Sequence, residues 1–110
     1  MGIGPEAKTE RANRDYAVAL GFAFTKYTEP GRVGPPDRKV IGHGVEFFIE
    51  YKAKGKKPCP KQRRDHARRR AEGVCVYVVD DQAEGERILR HHAEHGRACC
   101  PGYKLTGERA

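Results

Sequence analysis

The stretch PDRKVIGHGVEFFIEYKAKGKK, Pro36 to Lys57, decides how this chain is read. Val45, Phe47, Phe48 and Ile49 have the residue types of a buried strand, and Gly42-His43-Gly44 is a hairpin corner. With His43-Gly44 as a two-residue loop, Asp37 stands directly opposite Glu50. Opposed residues share a face, with Cβ atoms roughly 4.5–5.5 Å apart. Lys52 follows Glu50 by one strand period and projects to that face too. A three-residue loop would send Asp37 to the other side. In the two-residue register, two carboxylates and an ammonium converge, which outlines a site for a metal ion and a phosphate. The bland alternative is an ion-pair cluster on an exposed sheet face. Phe48 shares the face of Glu50 and argues for partial burial instead.

The balance of charge points the same way. The 110 residues carry 22 Lys and Arg against 15 Asp and Glu, a net +7. Such an excess suits a polyanion, nucleic acid above all, although a soluble basic protein needs no partner. With 37% hydrophobic residues and no Trp, one modest core is expected, a single domain over 1–110 with its core at about 5–96. A dimer interface would add stability to so small a core. No secretory segment and no apolar run near the ~20 residues of a membrane span are present, so the chain is expected to be soluble and intracellular. Cys59, Cys75, Cys99 and Cys100 show neither scaffold spacing nor C-x-x-C, and free thiols in a reducing compartment are expected.

Outward from the hairpin, Pro5 to Leu20 reads as a helix stopped by Gly21, with Ala12, Tyr16, Ala19 and Leu20 as its apolar stripe. Glu6, Glu10 and Arg14 fall on a neighbouring face, where a solvated Glu–Arg pair is the ordinary reading. Phe22 to Thr28 alternates as a strand. The Pro- and Gly-rich loop up to Asp37 carries Arg32, and Arg38 and Lys39 follow, which makes it a candidate phosphate-contacting loop. Beyond the hairpin, Lys54, Lys56 and Lys57 lie in a basic turn. Pro60 opens a helix to about Ala71, packed through Ala67, Ala71 and aliphatic stems. Its cations are Lys61, Arg63, Arg64, Arg68, Arg69 and Arg70, with Arg64 and Arg68 on one face and Arg63 and Arg70 on another. Phosphate contact is the better reading of that run. Val74 to Val79, with Cys75 in the core, is a central strand. Asp80 or Asp81 caps a last helix to about His95, stopped by Gly96. From Cys99 onward the tail is expected to be loose.

The ordered set Gly31-Arg32-Val33-Gly34-Pro35-Pro36-Asp37-Arg38, Phe48-Ile49-Glu50-Tyr51-Lys52-Ala53 and Pro60-Lys61-Gln62 resembles the PD-(D/E)XK nuclease signature. It is most similar to the virus-type replication-repair nuclease (VRR-NUC) family, over about Glu10 to Asp81. The resemblance implies a restriction-endonuclease-like α/β fold, α-β-β-β-α-β-α with a mixed sheet. It implies a Mg²⁺-dependent endodeoxyribonuclease in which Mn²⁺ substitutes and no small-molecule cofactor is needed. Asp37, Glu50, Lys52 and Gln62 are then catalytic. The metal is held by Asp37, Glu50, the Tyr51 carbonyl and Glu10, with Glu6 as the fallback. DNA contacts fall to Arg32, Arg38, Lys54, Lys56, Lys57, Arg64 and Arg68. Viral relatives suggest a homodimer cutting branched DNA such as four-way (Holliday) junctions, in the host cytoplasm if the chain is viral, and two sites on one twofold suit two strands. The competing classes are a non-catalytic basic nucleic-acid-binding module and a small structural protein holding zinc through His91, His95, Cys99 and Cys100. The latter spacing matches no standard finger.

Overall fold

His43 and Gly44 both adopt positive φ, 52° and 76°, the two-residue corner whose twist matches the flanking strands. The computed structural model describes residues 4–31 and 36–101. Its elements are α1 (Pro5–Ala19), β1 (Ala23–Lys26), β2 (Arg38–Gly42), β3 (Val45–Tyr51), α2 (Pro60–Ala71), β4 (Val76–Val79) and α3 (Gln82–His95). The order is the expected one, with both outer strands shorter than their apolar runs. β1, β2 and β3 form an antiparallel meander, and β4 joins β3 in parallel after α2, giving a mixed sheet ordered β1-β2-β3-β4. Gly42 pairs with Val45 and Arg38 with Ile49, so the register is that of the two-residue loop. Gly42 is also a close approach: a Cβ there would lie 2.6 Å from the Phe22 ring.

The two-residue period of β3 serves two faces. Phe47, Ile49 and Tyr51 join Val40, Tyr77 and Val79 in the core beneath α1 and α3, with Ala17, Phe22, Ile88 and Leu89. On the α2 side, Phe48, Glu50 and Val76 are 4%, 2% and 3% exposed.

Several expectations are corrected, the first being that β4 is central: it pairs with β3 at the edge of the sheet. The buried residues of α1 are Asn13 and Ala17, whereas Ala19 is exposed. The stripe is rotated toward Asn13 because its amide is satisfied there. Asn13 Nδ2 donates to the Gln82 carbonyl at 3.2 Å and Oδ1 accepts from the Tyr51 hydroxyl at 2.9 Å.

Helix α2 does not dock through Ala67 and Ala71, which are exposed; it buries Asp65 and His66. Arg69 donates to Asp65 at 2.7 Å, pairs with Glu29 at 3.3 Å and lies over the rings of Phe48 and Tyr27. Arg70 donates twice to the Val76 carbonyl, at 3.0 and 2.7 Å. Lacking large apolar side chains, this helix attaches by directed polar bonds.

The thiols are not all free either. After Gly96 the chain doubles back over the start of β4, and Cys75 and Cys99 form a disulfide with Cα atoms 5.6 Å apart. Cys59 and Cys100 remain thiols. The tail is pinned as far as Pro101. The buried Cys100 donates its N–H to the Tyr77 hydroxyl at 2.7 Å, and Arg87 donates to the Pro101 carbonyl. The disulfide consumes Cys99, so the zinc set does not assemble, and His91 bonds the Ala98 carbonyl instead. Cys75, 5% exposed, lies in the core as expected. Among the described residues no helix is long and apolar enough to cross a membrane.

Gly85 of α3 backs onto Asn13 so closely that a Cβ there would lie 1.6 Å from Asn13 Oδ1. Helix propensity alone makes Gly85→Ala stabilising by about 1 kcal/mol. Overpacking costs about 1–3 kcal/mol, and the Tyr51 bond is disturbed as well. Gly85→Ala is therefore expected to be net destabilising in urea denaturation. Parent-like or higher stability would show that Asn13 gives way freely.

Candidate active site

Asp37 is the residue before β2 and Glu50 the penultimate residue of β3, so the register sets them side by side. Asp37 Oδ2 accepts from the Tyr51 N–H at 3.0 Å. Glu50 Oε2 accepts from Gln62 Nε2 at 3.0 Å and lies 3.5 Å from Lys52 Nζ. Its other oxygen, Oε1, is buried without a hydrogen-bond partner. Burial, then the Asp37 carboxylate, push Glu50 up to about 7, with Lys52 pulling the other way. A buried carboxyl thus stands beside the exposed Asp37 carboxylate, with Lys52 as the neighbouring cation. Such an excess of negative charge around a bare oxygen suits a hard cation.

These side chains line one cleft of about 570 Å³ with Glu10 and Lys26. Glu10 does not join the carboxylate pair. It is ion-paired with Arg38, whose guanidinium also lies over Phe24. Arg14 instead pairs with Asp15. Glu6 lines the same cleft one helical turn earlier and is exposed. Among the described residues no three Asp, Glu, His or Cys side chains form a group that could hold a metal. Asp37 and Glu50 are the neighbouring carboxylates, and Tyr51 lines the same cleft. That set fits Mg²⁺, which keeps several waters and needs few protein oxygens.

The sequence therefore brings Asp37, Glu50, Lys52 and Gln62 together as its spacing suggests. Gln62 bonds Glu50 rather than Lys52. Of the cations assigned to DNA, Lys56, Lys57 and Arg64 are exposed, and Arg68 is half exposed beside Asp65. Lys54 pairs with Asp81 at 3.3 Å. Arg32 lies outside the described residues. Arg70 cannot form a substrate face with Arg63, because its guanidinium is spent on Val76. Asp81 caps α3 and Asp80 accepts from the Gly55 N–H, so neither is a ligand. The sequence reading missed Lys26, which pairs across from Arg38 in β1–β2, and Asn13, a polar residue among apolar neighbours. It also missed His66, 1% exposed, which burial and then Arg70 hold down at about 4.

A four-stranded mixed sheet carrying Asp, Glu-x-Lys and a helix-borne Gln at the ends of its central strands defines a nuclease of the restriction-endonuclease-like class. A solved VRR_NUC domain shares the fold with a TM-score of 0.75 and 32% identity, over 82% of this chain and 99% of that one. "Putative nuclease p44" of Acyrthosiphon pisum secondary endosymbiont phage 1 is 49% identical over 63 residues, which is 56% of this chain and 67% of that protein. No family model matches the chain. The chain belongs to the VRR-NUC family and is a nuclease.

Glu50 links the site to stability. Its folded-state pKa of about 7 lies above the ordinary 4.5. Its contribution is present below the unfolded value and is lost as pH rises through 7. Glu50→Gln removes that loss. Without metal, the variant is expected to exceed the parent by on the order of 1–3 kcal/mol at pH 8, an advantage that disappears by about pH 5. Thermal denaturation in chelator at both pH values checks this; a pH-independent difference would refute the burial account.

Proposed function

We propose that the chain is a Mg²⁺-dependent endodeoxyribonuclease acting on branched DNA as a homodimer. One observation carries the metal-dependent reading: Asp37 and Glu50 stand together, Lys52 and Gln62 take one Glu50 oxygen, and the other is buried without a partner. Asp37, Glu50 and the Tyr51 carbonyl would hold the ion. A bound Mg²⁺ lowers the pKa of a coordinated water and neutralises charge on a phosphate oxygen. The chain's own residues do the rest. Lys52 is near enough to the carboxylates to orient an attacking water and to stabilise charge that develops on the phosphate. The Tyr51 N–H fixes Asp37, and Gln62 fixes Glu50.

Lys61, Arg64 and Arg68 are exposed and share one face of α2, the helix that carries Gln62. They form a phosphate-tracking stripe next to the cleft, with Lys56 and Lys57 on the preceding loop. The preference for branched DNA and the dimer are supported by the resemblance to viral members, and two twofold-related sites suit two strands.

The test is incubation with labelled linear, flapped and four-way DNA with and without Mg²⁺. Cleavage is expected only with metal, and best on the four-way substrate. Asp37→Asn, Glu50→Gln and Lys52→Ala should each lose at least ~100-fold in rate, with DNA affinity retained. Calorimetry should show Mn²⁺ binding kept in Lys52→Ala and lost in the carboxylate variants. Metal-dependent cleavage that survives in Asp37→Asn would remove this assignment. No cleavage by the parent on any substrate would favour the binding-module reading.

The stripe on α2 is tested separately. The Arg64→Ala/Arg68→Ala double variant, in a Glu50→Gln background, is expected to weaken all DNA substrates alike. It should also flatten the log–log salt dependence by about 0.9 per lost contact on duplex. A parent-like slope would place the DNA elsewhere.

A further inference from the structure

The amide of Gln62 can bond in only one direction. It occupies the third position of α2, where its Oε1 accepts from the N–H of the N-cap residue Cys59 at 3.0 Å. The Cys59 side chain in turn accepts from the Gln62 backbone N–H. This reciprocal capping box fixes the near end of the amide, because a backbone N–H can only donate and the atom facing it must be oxygen. The far end must then be the NH₂ group, and it points at Glu50 Oε2, 3.0 Å away. A flipped amide would oppose donor to donor at Cys59 and acceptor to acceptor at Glu50.

We propose that Gln62 is a positioning residue: the α2 cap locks its amide as a donor to Glu50 Oε2 and leaves Glu50 Oε1 for the metal. Lys52 approaches that same Oε2 at 3.5 Å. The carboxylate is thereby divided into one oxygen saturated by protein donors and one with none. Its orientation is referenced to α2 as well as to its own strand. The helix whose exposed cations face phosphate thus holds the carboxylate beneath it through a single side chain.

Glutamate separates cap from donor, because a capping box accepts Gln and Glu equally well but only Gln can donate to Glu50. At about pH 5, where Glu50 is protonated, Gln62→Glu should stay near the parent's Tm, whereas Gln62→Ala should lower it; at higher pH the added charge beside Glu50 costs stability as well. The Glu50 carboxyl, followed by carbon NMR in metal-free protein, should titrate higher in Gln62→Ala, which loses a donor to the charged form. It should shift further, by about one unit or more, in Gln62→Glu, which adds a like charge. Cleavage should fall in the same order, at least ~10-fold in Gln62→Ala and more in Gln62→Glu. The stability ranking and the activity ranking therefore cross.

Activity that simply follows Tm, with Gln62→Glu resembling the parent, would overturn the inference. So would a Glu50 titration unchanged in both variants. The inference rests on the metal-site reading of Glu50, and the titration, made without metal or DNA, keeps the two apart. A parent that never cleaves defeats the nuclease mechanism, whereas an unmoved Glu50 defeats only the role given to Gln62.

Discussion

A strand presents alternate residues to alternate faces, so a hairpin that slips by one residue exchanges its two faces wholesale. Here the register is set where His43 and Gly44 both take positive φ. His43 is held from outside the hairpin as well, by the Leu20 carbonyl at 2.6 Å and by edge contact with Phe22. Phe22 also fills the space that a Gly42 side chain would need. A slip would send Asp37 toward α1 and Arg38 toward Glu50, breaking the Arg38–Glu10 pair and the acidic pair together. The corner lies at the far end of the strands from the cleft, yet it sets the distances within it.

The second constraint is electrostatic. Burying Glu50 beside the Asp37 carboxylate opposes folding, and the charge of Lys52 offsets part of that cost. Active sites commonly hold such unfavourable arrangements where the surrounding structure over-determines them. The over-determination is visible around Tyr51. Its N–H holds Asp37, its hydroxyl is anchored by Asn13, and Asn13 is bonded to the start of α3. Both helices on the core face thus keep in place a strand end whose chemistry is on the opposite face.

The order of elements was legible in the sequence, the two-residue register was one of two it offered, and the cap of the last helix was narrowed to Asp80 or Asp81. They follow from local rules: period, turn chemistry and capping. What was not legible depends on contacts distant in the chain. Asn13 looks like an interruption of a stripe until the Tyr51 hydroxyl and the Gln82 carbonyl are near it. Glu10 has the position of a ligand, but Arg38 of β2 engages it. Arg69 and Arg70 look like surface cations, and only the rings of Phe48 and Tyr27 and the carbonyl of Val76 make them structural. The pairing of Cys75 with Cys99 depends on how the chain turns after Gly96, which spacing alone does not encode.

The docking of α2 has a consequence for how the protein breathes. Hydrophobic burial is nondirectional and tolerates small displacements, whereas the attachments of Arg69, Arg70, Asp65 and Gln62 are directional and end within a few tenths of an ångström. A helix fixed in this way does not slide over the sheet. It is either seated or detached. Its backbone amides should accordingly exchange with solvent through a cooperative partial opening of that one segment, while those of β3, buried on both faces, wait for the whole molecule to unfold.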